Sequence, residues 1–174
     1  VSGFGGSGPL GGLPGYDAGA GWVQDAAAAL PARLLGDVAG RSVADLCAAP
    51  GGKAMQLAAR GARLHAVEMS AQRATRLREN AARTQLAMDI VVADARTWRP
   101  PAPLDAVLLD APCSALGVIR RHPEGVWRRD PRDMARFPSI QADLLTSAAE
   151  MLRPGGRLVY AVCTPMPEEG RDII

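Results

Sequence analysis

Apolar positions along this chain fall into short continuous runs, separated by longer stretches in which they recur every three or four residues. The runs at Ser42–Leu46, Arg63–Glu68, 89–93, 104–109 and 157–162 predict strands. Between them, residues 53–60, Ala71–Thr84 and 132–152 predict helices. In the second of these, Arg73, Arg76, Glu79 and Arg83 occupy one side, with Ala74, Leu77 and Ala81 on the other. In the third, Leu144, Leu145, Ala148, Ala149 and Leu152 form the apolar face, and Gly155-Gly156 marks its end. Residues 104–109 are apolar nearly throughout, as suits a central parallel strand. Residues 22–35 predict a further helix, which Pro31 divides or kinks. Residues 1–21 are Gly-rich, with Pro9 and Pro14, and read as a flexible or loosely packed lead-in. The alternation over 22–174 predicts one domain, a doubly wound, mostly parallel α/β sheet.

In such a sheet the ligand lies beyond the carboxyl ends of the strands. The first strand ends in Cys47, Ala48, Ala49, Pro50, Gly51, Gly52 and Lys53, a small-residue turn opening a helix. A phosphate-gripping loop of the form G-x-x-x-x-G-K-[ST] is excluded, because Cys47 stands at its first Gly and Ala54 at its Ser/Thr. The G-x-G-x-x-G dinucleotide pattern is absent too. A nucleoside-type ligand without phosphates suits the loop, as does a plain tight turn. Glu68 ends the second strand, where a carboxylate accepts from ribose hydroxyls or simply faces solvent. Asp94 ends the third, placed to accept from an exocyclic amine or to cap a turn. Together these positions describe a ribose-plus-adenine site, the shape of S-adenosylmethionine.

The fourth strand runs into L-L-D-A-P-C-S and the fifth into V-C-T-P. Pro112 makes the first exit rigid, holding Asp110 and Cys113 at the edge where Cys163 also arrives. A thiol becomes a nucleophile when ionised, and a nearby positive charge favours that form. A free cysteine is also often a small buried hydrophobe, a reading that weighs most on Cys47.

Composition narrows the field. The chain has 174 residues, 48% of them hydrophobic and 22% charged, the profile of a globular domain. A net charge of +2 does not by itself point to nucleic acid. The three cysteines are widely spaced without C-x-x-C, and there are only two histidines, so neither a disulfide framework nor a metal site is expected. No apolar run approaches 18 residues and the start lacks a signal layout, which predicts a cytoplasmic protein without a membrane span. Positive charge is written almost entirely as Arg, and the single Lys is Lys53. Residues 119–136 carry Arg120, Arg121, Arg128, Arg129, Arg132 and Arg136 with His122 and Trp127, a pattern for gripping phosphates and stacking a base, or for a solvated face.

D-L-C-A-A-P-G-G-K, D-A-P-C-S-A-L-G-V-I-R-R-H-P and V-C-T-P-M-P-E-E-G resemble the RNA 5-methylcytosine methyltransferases of the RsmB/Sun/Nop2 family, its bacterial small-subunit ribosomal RNA branch most of all. The resemblance covers roughly residues 15–174. It implies a Rossmann-like class I S-adenosylmethionine-dependent fold and methyl transfer to carbon 5 of cytosine in RNA. It implies Cys163 as the nucleophile, Cys113 as an aid to product release, and a cofactor site of Cys47 to Lys53, Glu68, Asp94 and Asp110. Arg120, Arg121 and His122, in the Arg-rich stretch, are the residues expected to bind RNA. The partner expected is ribosomal RNA, with no metal and no membrane, and the chain is expected to act as a monomer. Val162 and Thr164 depart from the T-C-S that usually surrounds the family's nucleophile. The family also continues past this chain and carries an N-terminal RNA-binding domain, so a catalytic-domain fragment is expected. A methyltransferase for another substrate, or a non-catalytic cofactor- or RNA-binding module, is the competing reading.

Overall fold

The computed structural model of the chain describes residues 12–119 and 135–174. Strands β1 (Ser42–Leu46), β2 (Arg63–Glu68), β3 (Asp89–Val92), β4 (Leu104–Asp110) and β5 (Leu152–Ala161) form one sheet in the order β3-β2-β1-β4-β5. Every neighbouring pair is parallel. Helices α1 (Leu30–Leu34), α2 (Gly52–Ala59), α3 (Ala71–Thr84) and α4 (Phe137–Glu150) cover it.

The two sheet faces follow the period-2 alternation of the strands. Val43, Ala66, Ala106 and Leu108 pack against Ala32, Leu35, Ala54, Leu57 and Leu77 of the α1–α3 side. Ala44, Leu46, Val67, Val107 and Leu109 pack against Leu144 and Ala148 of α4. β1 is flanked by β2 and β4, so the chain changes direction across the sheet beside β1. That is where a doubly wound sheet opens a crevice at its carboxyl edge.

Two expected elements differ. Residues 22–26 are not helical: Asp25 Oδ1 accepts from the Ala27 N–H at 2.7 Å and the Ala28 N–H at 3.3 Å, so helical structure starts only after it. A 3₁₀ turn at Ala27–Ala29 leads into α1, and Pro31 stands in that helix's first turn, where its missing N–H costs nothing. Gly155-Gly156 does not stop α4, which ends at Glu150. Leu104 pairs with Leu152 and Ala106 with Arg157, so Arg153–Gly156 bulge out of β5, with Gly155 at φ +78°. The described part of the lead-in is held to α3. Arg83 donates to the carbonyls of Tyr16 (2.6 Å) and Gly21 (2.9 Å), and its guanidinium lies 3.9 Å from the Tyr16 ring centroid. No helix among the described residues is long and apolar enough to cross a membrane.

Candidate active site

The turn after β1 is built tightly. Cys47 sits at φ +64° and Gly51 at φ +113°, and a Cβ on Gly51 would lie 2.6 Å from Leu77 Cδ1. Only glycine fits both that backbone and that space. Glu68 reaches back from the end of β2 and is 3% exposed. Its carboxylate accepts from the Ala49 N–H (3.3 Å) and the Ser70 N–H (2.9 Å), and meets Arg73 Nη1 at 3.3 Å. Arg73 Nη2 donates to the Ala49 carbonyl at 2.6 Å, and Asn80 donates to the Pro50 carbonyl at 2.9 Å. Glu68 therefore acts here as a brace for the loop. The Cys47 thiol is pushed up to about 12, by burial first and the Glu68 charge second, so it stays protonated. Asp94 is engaged as well: Arg96 grips both its oxygens at 2.6–3.1 Å and holds its carboxyl below the usual range.

Reactive groups gather at the other half of the edge. Lys53, in the first turn of α2, reaches Asp110 Oδ2 at the end of β4, 2.7 Å away. These two line a cleft of about 320 Å³ with Asp25, Ala27, Ala28, Pro31, Gly117, Val118, Ala161, Val162 and Cys163. Cys163 is exposed and Cys113 partly so, and their Sγ atoms are 3.4 Å apart. With Cys113 as the donor, this contact brings the Cys163 thiol down to about 7 despite burial and the Asp110 charge; Lys53 and the Cys163 backbone help. The same hydrogen bond, with burial, drives Cys113 upward. Cys163 is thus the more readily ionised thiol of the pair and Cys113 the proton holder.

Of the expected site residues, the structure brings Lys53, Asp110, Cys113 and Cys163 together. Cys47, Glu68 and Asp94 stand apart from the cleft, each committed to its own neighbours. Arg120, Arg121 and His122 lie outside the described residues.

Two acidic residues escaped the sequence reading. Asp45, in β1, is fully buried, and neither carboxylate oxygen has a hydrogen-bond partner among the described residues. Burial, then Asp110, raise its pKa well above normal. An acid inside an otherwise apolar strand was the available signal. Glu169, 3% exposed, accepts from the Ser114 N–H (2.8 Å) and from Gln141 Nε2 (3.1 Å). Its signal was weaker, a P-E-E-G run that reads equally well as a solvated turn. No group of three or more His, Cys, Asp or Glu among the described residues is arranged to hold a metal ion.

The chain matches the 16S rRNA methyltransferase RsmB/F family over residues 32–174. It is similar to ribosomal RNA small subunit methyltransferase B of Sodalis glossinidius, with 44% identity over 170 residues, 95% of this chain and 39% of that protein. The same-named protein of Cronobacter sakazakii is 43% identical over 171 residues, 95% of this chain and 40% of its own. The chain therefore spans about two fifths of the length of these relatives. Among solved structures, NSun6 from Pyrococcus horikoshii with SFG superposes with a TM-score of 0.85 at 29% identity, covering 95% of this chain and 44% of that one.

Proposed function

Since the chain belongs to the 16S rRNA methyltransferase RsmB/F family, we propose that it carries the catalytic domain of an enzyme that moves a methyl group from S-adenosylmethionine to carbon 5 of a cytosine in ribosomal RNA. The observation that carries this reading is the thiol pair, Cys113 and Cys163 at 3.4 Å, with Cys163 lining the Lys53–Asp110 cleft. Methyl transfer to an oxygen or nitrogen needs no thiolate. Carbon 5 of cytosine is not nucleophilic until a nucleophile adds at carbon 6.

The residues fit the cofactor. The first-turn N–H groups of α2 have no carbonyl partner within the helix and favour an anionic group such as a carboxylate. The braced Cys47–Gly51 backbone stands beside them, and Asp110 supplies an acceptor at the end of β4. The relative NSun6 with SFG supports the same choice. When bound, S-adenosylmethionine supplies an electrophilic methyl group on a sulfonium. The chain's own residues do the rest. Cys163 Sγ adds to carbon 6 of a base turned into the cleft, and the ring electron pair becomes available at carbon 5. After carbon 5 takes the methyl, its proton leaves to a base and the electrons return, expelling Cys163 as thiolate. Cys113 holds the thiolate by its S–H before attack and assists release afterwards. Lys53 and Asp110 flank the base and steer protonation at its ring.

RNA containing 5-fluorocytidine tests the reading, because fluorine blocks the final elimination. With S-adenosylmethionine present, a covalent adduct is expected for the wild-type chain and for Cys113→Ser, and none for Cys163→Ser. An adduct that needs Cys113 instead would reverse the two roles. Absence of any adduct, with the flanking parts of the protein restored, would sink the carbon-5 mechanism.

A further inference from the structure

A charged side chain is rarely buried without a task, because desolvation costs several kcal/mol unless good partners replace water. Glu169 is such a group, and its partners are specific. The Ser114 N–H that it accepts belongs to the residue after Cys113. Gln141 of α4 donates both to Glu169 Oε2 (3.1 Å) and to the carbonyl of Pro112 (2.9 Å), the residue before Cys113. Cys113 is therefore held on both flanks by one Gln141–Glu169 unit. The backbone of Glu169 is itself tied to β5, where the Tyr160 hydroxyl donates to its carbonyl at 2.6 Å. The Ser114 and Thr164 hydroxyls bridge at 2.8 Å, and the Cys163 N–H points at Cys113 Sγ at 3.4 Å.

We propose that Glu169 is a positioning residue that fixes the Cys113 turn against the Cys163 turn, so that the Cys113 thiol stays aimed at the Cys163 sulfur. This rests on the cysteine roles proposed above. Reach is what the geometry demands: the carboxyl oxygen must meet an N–H from across the strand ends at 2.8 Å. Glutamine has the same reach with an oxygen still available to Ser114. Aspartate keeps the charge but falls one methylene short.

The test is the pH profile of Cys163 alkylation by iodoacetamide, mapped by mass spectrometry, in the whole protein and in Glu169→Gln and Glu169→Asp. The wild-type midpoint is expected near 7. Glu169→Gln should stay close to it. Glu169→Asp should climb toward the free-thiol value of about 8.5, cutting the thiolate fraction at pH 7 about 15-fold. A midpoint unchanged in Glu169→Asp, or shifted as far in Glu169→Gln, would overturn the proposal. Should Glu169→Asp not fold, Gln141→Met removes the donor that ties Glu169 to the Pro112 carbonyl. It is expected to raise the midpoint, and an unchanged midpoint refutes the clamp. Adduct formation with 5-fluorocytidine RNA is scored in parallel. If wild type forms none while the midpoints shift as stated, the RNA reaction is wrong and the clamp stands.

Discussion

Replacing Cys113 by alanine removes the S–H that reaches Cys163 and leaves that sulfur with burial and Asp110 against Lys53 and its own backbone N–H. A hydrogen bond to a charged acceptor contributes about 1.5–3 kcal/mol, which corresponds to about one to two pKa units. The Cys163 midpoint should therefore climb from about 7 to the region of an ordinary thiol, about 8.5. At pH 7 the thiolate fraction falls from about one half to about 3% for a rise of that size, about a 16-fold loss. The more basic thiolate is intrinsically more nucleophilic. With a Brønsted slope of about 0.45, 1.5 units return about 5-fold. The net expectation is alkylation about 3-fold slower at pH 7 and about 5-fold faster above pH 9.5, so the two pH–rate curves cross. Iodoacetamide rates from pH 5.5 to 10, with Cys163 followed by peptide mass spectrometry, measure this directly. Simple loss of packing would scale the curve at every pH without moving its midpoint. Superimposed profiles would refute the claim that Cys113 donates to Cys163.

Three further outcomes follow from the same geometry. Lys53→Gln should move the Cys163 midpoint upward by less than Cys113→Ala does, since Lys53 is a lesser influence on that thiol; a larger shift in the same alkylation assay would reverse the order of causes. Gly51→Ala should cost about 1–3 kcal/mol in denaturant unfolding, because alanine at φ +113° is strained and its Cβ meets the buried Leu77 at 2.6 Å; an unchanged midpoint would mean the loop relaxes freely. Asp45→Asn should raise the melting temperature at pH 7. The folded-state pKa of Asp45 is raised, so its stability is fully present only below the unfolded value of about 3.9 and is lost as pH rises; the gain must shrink toward pH 4, and a pH-independent gain would clear the charge of blame.

Much of this fold was legible because a buried parallel strand has little choice of residues. β1 and β2 lie where the apolar runs lie, residue for residue, and β4 extends only to include Asp110. The failures share a cause: a local signal was outvoted by a specific contact. The alanines after Trp22 read as helix, but the Asp25 side chain binds the N–H groups two and three residues on and delays helical structure. Gly155-Gly156 read as a helix stop, but they relieve a register change between β4 and β5. In the site, the residue types were legible and their partners were not. No spacing rule announces that Glu68 will spend both oxygens on Ala49, Ser70 and Arg73, or that Cys113 and Cys163 from different turns will touch.

The charges at the β1–β4 junction explain why the chain's only lysine stands where it does. Lys53 faces three groups that can carry negative charge: Asp45, Asp110 and Cys163. One cation cannot hold all three ionised in a partly buried site. Burial disfavours the charged form of Asp45, and Lys53 pairs directly with Asp110 at 2.7 Å. What is left of the lysine's field is too weak to ionise Cys163 against burial and Asp110, and the Cys113 hydrogen bond, the larger influence, supplies the difference. The Cys113 contact across β4 and β5 is thus the main lever on Cys163, and the Lys53–Asp110 pair beside it is the secondary one.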